Sequence, residues 1–434
     1  MSIKVPLGEI FGVQNKRVKS YLKRKEVDTR FEESLKEEKH IIIYGSSKQG
    51  KTSLIREHLK AEEKLQINCD KNAQVDDIYK AILRKVGISL QVVEEKSTGI
   101  EGGGSSKFNF KAIIPILGGA ENESEVTINK SKEKKIQTQS IPINLSIAND
   151  ICDALEEIKF KKFIILENFH YLSDCVQKQL SYDLRTFHDR GICFIIIGIW
   201  REKNKLLKNN GELSDRVIEI PVEPWKIEDF EKIVKNGSDL LNIEFDCNIK
   251  RQIIEISFGN VGLLQELCKK YCVESGIVET VNIKKRLDNQ EALERAISEK
   301  VEEYSSRHIR ALDAIANIGS YKEGLFMKYY LIKVLVNSSV SNLVNGLSRV
   351  EITSQISKIH HKEDIRDGDI TYLLNNIAKT QADANISPPL FDYDINNRSL
   401  KIIDSTLLFY LNFKDGKDIM FDIVDPRIGK INLD

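Results

Sequence analysis

The sequence predicts an α/β protein built on a parallel sheet, and two observations predict it. Short apolar, β-rich runs alternate along the chain with segments of helical period, the pattern of parallel strands joined by crossover helices. One such run passes directly into a glycine-bounded loop and then a helix. Composition agrees with a globular chain: 41% of the 434 residues are hydrophobic and 30% charged, and the length exceeds one ordinary core, so two or three domains are expected.

Ile41-Ile42-Ile43-Tyr44 reads as the first strand. Gly45-Ser46-Ser47-Lys48-Gln49-Gly50-Lys51-Thr52 follows and fits the whole G-x-x-x-x-G-K-[ST] pattern, and residues 53–59 read as a helix. The glycines let the backbone wrap a phosphate with its N–H groups turned inward. The helix N-terminus adds its partial positive charge. Lys51 is the residue for the β- and γ-phosphates and Thr52 the one for Mg²⁺. The candidate nucleotide-binding set is therefore Gly45, Ser46, Ser47, Lys48, Gln49, Gly50, Lys51, Thr52 and Ser53, with ATP and Mg²⁺ as the ligands. This is a P-loop NTPase pattern.

Residues 65–69 read as a second strand, 163–166 as a third, 193–198 as a fourth and 217–220 as a fifth, ended by Pro221. Val75, Ile78, Ile82 and Val86 mark one helix face between them, and Ile147, Ile151, Leu155 and Ile158 another. The third strand runs into Glu167-Asn168-Phe169-His170. An apolar strand ending in carboxylates is the Walker B arrangement, in which one acid helps hold Mg²⁺ and a second orients the attacking water. Glu167 suits the first role. Asn168 stands in the second, where an amide can position a water but cannot act as a base. His170 reads as a packing residue.

The order of these parts resembles the AAA+ ATPases, and within them the STAND and Orc/Cdc6-like branches, over residues 14–275. Arg24-Lys25-Glu26-Val27-Asp28-Thr29-Arg30-Phe31-Glu32 is similar to the segment that precedes the loop there, Phe194-Ile195-Ile196-Ile197-Gly198-Ile199-Trp200 to the sensor-1 strand, and residues 225–242 and 248–275 to the helical lid. The resemblance implies that Arg216, in Ser214-Asp215-Arg216 before the fifth strand, is an arginine finger offered to a neighbouring subunit, and hence that the chain is a homo-oligomer. A local pairing of Arg216 with Glu212 or Glu219 is the competing expectation. Three departures matter. No polar sensor-1 residue ends the fourth strand, Gly259-Asn260-Val261-Gly262 carries no sensor-2 arginine, and the lid lacks Gly-x-Pro. With Asn168, these imply slow hydrolysis or a nucleotide-held switch.

Residues 97–145 interrupt the scheme. Gly102-Gly103-Gly104-Ser105-Ser106 opens the insertion, and Phe108, Phe110 and Ala112, then Val126 and Ile128, alternate with polar residues. A β-hairpin or ribbon turning near Gly118-Gly119 is expected. Its readings are a partner-contacting ribbon or a surface loop, with membrane contact through residues 112–117 a weaker option.

Residues 289–317 are charged and helical in pattern, a linker helix. Residues 325–336, 352–359 and 370–382 read as three helices, and 390–394 and 400–404 as a hairpin around Asn396-Asn397. Together they resemble a winged-helix domain. Asp364, Asp367 and Asp369 against Arg366 and Lys379 leave its third helix without the basic face that phosphate contacts need, so a protein-contacting or regulatory role is favoured over DNA. The one clear basic cluster is Lys16, Arg17, Lys19, Lys23, Arg24 and Lys25, with Tyr21 among them; a solvated helix face is favoured for it. Lys+Arg and Asp+Glu are both 65, which lends no support to a protein that coats nucleic acid.

The seven cysteines form no Cys-x-x-Cys pair and read as buried thiols of a reducing compartment; Cys268 and Cys272 share a helix face without two further ligands for zinc. The N-terminus has no signal-peptide pattern and no apolar run reaches the ~20 residues that span a bilayer, so a cytoplasmic protein without a transmembrane segment is expected. The organisation read from the sequence is a P-loop ATPase core at 1–222 with its insertion, a lid at 223–285, and a linker helix with a winged-helix-like domain at 286–434. The function it favours is an ATP-controlled oligomeric switch acting on an effector or regulatory protein partner, in a setting that the resemblance associates with bacterial antiphage defence. The alternatives are a DNA-associated Orc/Cdc6-like or transposition-helper ATPase and a nucleotide-binding scaffold without turnover.

Overall fold

Strand β1 (His40–Tyr44) is buried along its whole length, as a strand inside a sheet covered on both faces must be. The computed structural model describes residues 4–14, 16–93, 109–115, 138–200, 204, 206–319, 324–362 and 365–427. After β1 come β2 (Lys64–Asn68), β3 (Ser89–Val93), β4 (Asn109–Pro115), β5 (Thr138–Ile143), β6 (Phe163–Glu167), β7 (Phe194–Gly198) and β8 (Val217–Pro221). The chain divides into two units. One is Arg24–Gly45 with Lys51–Val222; the other is Met1–Lys23 with Ser46–Gly50 and Glu223–Asp434.

In the first unit, five strands form a parallel sheet in the order β2-β6-β7-β1-β8. Successive side chains of a strand point to opposite faces, and the core divides accordingly. Ile41 and Ile43 of β1, Ile165 of β6 and Ile195 and Ile197 of β7 share one core with Leu54 and Ile55 of helix Lys51–His58 and Phe31 of helix Lys25–Ser34. Ile42, Tyr44, Ile164, Leu166, Phe194 and Ile196 share the other with helices Val75–Lys85, Ala148–Glu157 and Asp174–Asp189. His58 joins two elements of the first face, through Nε2 to the Asp28 carboxylate at 2.9 Å and Nδ1 to that of Glu32 at 3.0 Å.

Strands β3, β4 and β5 make a separate antiparallel sheet in the same unit. The sequence reading began the insertion at 97 and counted two strands; the sheet begins at Ser89, just after Gly87 at φ +86° turns the chain out of helix Val75–Lys85. Phe110 and Ala112 face inward around an outward Lys111, as the alternation requires. The expectations for Gly102 to Ser106, Phe108, Gly118-Gly119, Val126 and Ile128 fall outside the described residues.

The second unit adds β9 (Ile243–Phe245), β10 (Lys285–Leu287), β11 (Leu347–Ser348), β12 (Phe391–Asp394) and β13 (Ser399–Ile402). Its lid segment holds three helices, Ile227–Leu241, Cys247–Ile256 and Val261–Glu274. The segment 248–275 holds two of these helices, parted at 257–260, where Phe258 and Gly259 take positive φ (+47° and +69°) and Asn260 caps the next helix by accepting from Leu263 N–H at 3.0 Å. Helix Gln290–Asn317 follows, capped by Asn289. Beyond it, helices Met327–Val336, Arg349–Ile359 and Asp367–Asn375 accompany an antiparallel sheet ordered β11-β13-β12. The single helix expected at 370–382 is two: Asn376 leaves helical geometry at φ −98°, ψ 7°, and Ile377–Asp383 starts afresh. Asp404 ties the long helix to helix Ser405–Phe413, accepting from Arg307 at 2.8 Å and from Thr406 Oγ1 at 2.6 Å. Cys268 and Cys272 are fully buried in this unit's apolar core. Among the described residues no three His, Cys, Asp or Glu gather as a metal site, and no helix is long and apolar enough to cross a membrane.

Candidate nucleotide site

The loop after β1 is shaped by residues of positive φ: Gly45 (+150°), Lys48 (+60°) and Gly50 (+85°). Glycine takes such angles freely, so two of the three turns cost nothing at Cβ. In the first unit, Lys51 opens helix Lys51–His58 with its side chain buried, and its ammonium donates to the Gly45 carbonyl at 2.8 Å. Thr52 follows, and its hydroxyl donates to Glu167 Oε1 at 2.9 Å. The sheet produces this meeting, because β1 and β6 both run parallel to β7 and end on one side. Ser53 lies in the first turn of the same helix.

Glu167 is engaged at both oxygens, since the Gln66 side-chain amide donates to Oε2. A hydroxyl and a carboxylate oxygen side by side are the hard oxygen donors that Mg²⁺ takes. The residues present thus fit the ion, with Thr52 and Glu167 as those that would hold it. Asn168 begins the turn after β6 at φ +59°, the left-handed region, and Phe169–Tyr171 forms a short 3₁₀ turn behind it. His170 packs ring to ring with Tyr171 at 4.3 Å. Arg216 donates to the Glu212 carbonyl at 2.8 Å and pairs with Asp189 at 3.4 Å. Its local partners thus differ from the carboxylates named above: Glu212 turns its own to Arg185, and Glu219 accepts from Asn204 N–H at 2.9 Å.

The loop residues Ser46, Ser47, Lys48, Gln49 and Gly50 belong to the second unit. Ser46 donates its N–H to Glu223 Oε1 at 2.7 Å and its hydroxyl to Oε2 at 3.2 Å. The Lys48 ammonium lies 5.4 Å from the centre of the Tyr304 ring, a cation–π contact. Burial lowers its pKa, and neighbouring Lys300 adds to the effect. Four hydrogen bonds join Ser47, Lys48 and Gln49 to the segment 259–262. Asn260 Nδ2 donates to the Ser47 carbonyl at 3.1 Å, Gln49 Nε2 to that of Gly259 at 3.1 Å, Gly262 N–H to that of Lys48 at 3.0 Å, and Val261 N–H to Gln49 Oε1 at 3.4 Å.

Sequence reasoning missed the parts played by Gln66, Glu223 and Asn260. Gln66 left a signal: between buried Leu65 and Ile67 it is a polar side chain on the opposite face of a strand. The other two left none, because their partners are loop groups far away in the chain.

No family model matches the chain, and no curated protein matches it. Solved structures do. The Walker-type ATPase of Pyrococcus abyssi superposes with a TM-score of 0.50 at 16% identity, over 93% of this chain and 100% of that one. The Orc1 protein of Aeropyrum pernix, solved in complex with DNA, gives a TM-score of 0.43 at 12% identity over 95% of each chain. A variant of RuvB from Thermotoga maritima gives 0.41 at 12% identity over 90% of this chain and 96% of that one. With β1, its glycine-shaped loop and the Thr52–Glu167 pair in place, the chain has an α/β P-loop fold, the fold it shares with that Walker-type structure.

Proposed function

We propose that this chain binds ATP with Mg²⁺ at Gly45 to Ser53, hydrolyses it slowly, and uses the bound nucleotide to control its self-association and its action on a protein partner. The hydrogen bond between Thr52 and Glu167 is the observation that carries the reading. It joins the hydroxyl of the loop motif to the carboxylate at the end of β6, the two groups that magnesium-dependent nucleotide binding needs together. Lys51 supplies the charge for the β- and γ-phosphates. Asn168 fits slow turnover, because its amide takes no proton from water. The resemblance to STAND proteins supports the further reading that such a switch serves antiviral defence in the cytoplasm.

Calorimetry with ATP and Mg²⁺ tests the reading. Wild-type protein should bind, and Lys51→Ala should bind at least tenfold more weakly, a loss of about 1.4 kcal/mol or more. Equal affinity in the two proteins would sink the assignment of the loop.

A further inference from the structure

We propose that Gln49 and Asn260 form an amide latch through which the lid, which has no arginine at this turn, sets the conformation of the phosphate loop. The inference rests on the nucleotide-binding reading above and names how that site is regulated. Gln49 and Asn260 are both almost fully buried, at 2% exposure each. Their amides point in opposite directions across the same seam. Asn260 donates from the lid to the loop carbonyl of Ser47, and Gln49 donates from the loop to the lid carbonyl of Gly259. Each amide also accepts from a lid N–H, Asn260 from Leu263 and Gln49 from Val261.

A polar side chain buried to this degree is retained only when its donors and acceptors are met, and here loop and lid meet each other's. The seam is also sterically closed. A Cβ on Gly262 would stand 2.5 Å from Lys48 Cβ and 2.8 Å from the Lys48 carbonyl oxygen. The loop carbonyls of Ser47 and Lys48 are thereby turned to the lid. The N–H groups of neighbouring loop residues are fixed as a consequence, since a peptide plane rotates as a unit. Asn260 and Gln49 are thus positioning residues, acting on phosphate through the loop backbone. A lid that works this way uses no charge of its own.

The chemistry of Asn260 separates its two tasks. Asn260→Asp keeps the oxygen that caps helix Val261–Glu274 and replaces the donor to Ser47 with a charged carboxylate oxygen. Gln49→Glu likewise keeps the acceptor for Val261 and removes the donor to Gly259. The test measures ATP and Mg²⁺ affinity by calorimetry, together with melting temperature without nucleotide, for wild type, Lys51→Ala, Asn260→Asp and Gln49→Glu. The latch requires each carboxylate variant to lose about tenfold or more in affinity while melting within a few degrees of wild type. Wild-type affinity in both, with Lys51→Ala defective, would overturn the latch and leave the nucleotide site standing. A weakened Asn260→Asp that also melts far below wild type would overturn it in favour of a purely structural role. A wild-type chain that binds no ATP would overturn both.

Discussion

Asn168 follows β6 in the left-handed region, at φ +59°. That backbone state costs an ordinary L-residue roughly 1 kcal/mol, and Asn and Asp tolerate it best because their short polar side chains bond locally. The turn thus gives a physical reason for asparagine at this point, independent of catalysis. It also ranks two substitutions that the sequence alone leaves equal. Asn168→Asp introduces a carboxylate and keeps the tolerated backbone, whereas Asn168→Glu introduces one with a side chain that fits the turn less well. Steady-state phosphate release should rise several-fold in Asn168→Asp and less in Asn168→Glu. A wild-type enzyme already turning over quickly, and slowed by Asn168→Asp, would show that another residue orients the water. At this scale Lys51, Thr52 and Glu167 could be read from the sequence because local motifs hold them. Gln66, Glu223 and Asn260 answer to partners 101, 177 and 213 positions away, which no local pattern encodes.

The central strand β1 shows how an element can carry a pH limit. His40 at its start is fully buried. Its Nδ1 accepts from Phe194 N–H at 3.0 Å, so the ring proton is on Nε2, which donates to the Leu184 carbonyl at 2.8 Å. Burial is the main reason its pKa falls to about 4. An unfolded histidine titrates near 6.5. Above that value both states are neutral and the contribution is whole. As pH falls from 6.5 toward 4 the unfolded chain takes up a proton that the folded one refuses, and stability is lost. At pH 5 the loss from this residue should be about 2 kcal/mol. Urea unfolding at pH 7.5 and pH 5 should show a smaller drop in His40→Gln, whose amide can replace both hydrogen bonds without a charge. An equal drop in the two proteins would assign the effect elsewhere, His308 with its pKa also near 4 being next in line. The strands of the sheet were legible because their apolar runs are continuous. The split at Asn376 was not, since the apolar period Ile370, Leu373, Leu374, Ile377 runs through it and only the backbone angles interrupt it.

For the whole molecule, the proposed self-association is tested at Arg216. Its pairing with Asp189 at 3.4 Å joins side chains 28% and 50% exposed. A pair this open to solvent contributes no more than about 1 kcal/mol. The hydrogen bond from its guanidinium to the Glu212 carbonyl is to a neutral acceptor. A phosphate offers the same guanidinium charge-assisted, two-donor contacts, which are roughly twice as strong as neutral ones. The local partners therefore hold Arg216 weakly, and in the proposed assembly a neighbouring subunit's nucleotide would compete with them. On this reading ATP or a slowly hydrolysed analogue drives self-association, and Arg216→Ala weakens that response while its melting temperature stays near wild type. Asp189→Asn, which removes the competing charge, should act the other way and lower the protein concentration needed for assembly. Light scattering with and without nucleotide measures all three. Should the wild type stay monomeric at micromolar concentration under saturating ATP, or should Arg216→Ala assemble as wild type does, Arg216 is a surface residue paired within its own chain and the finger role falls.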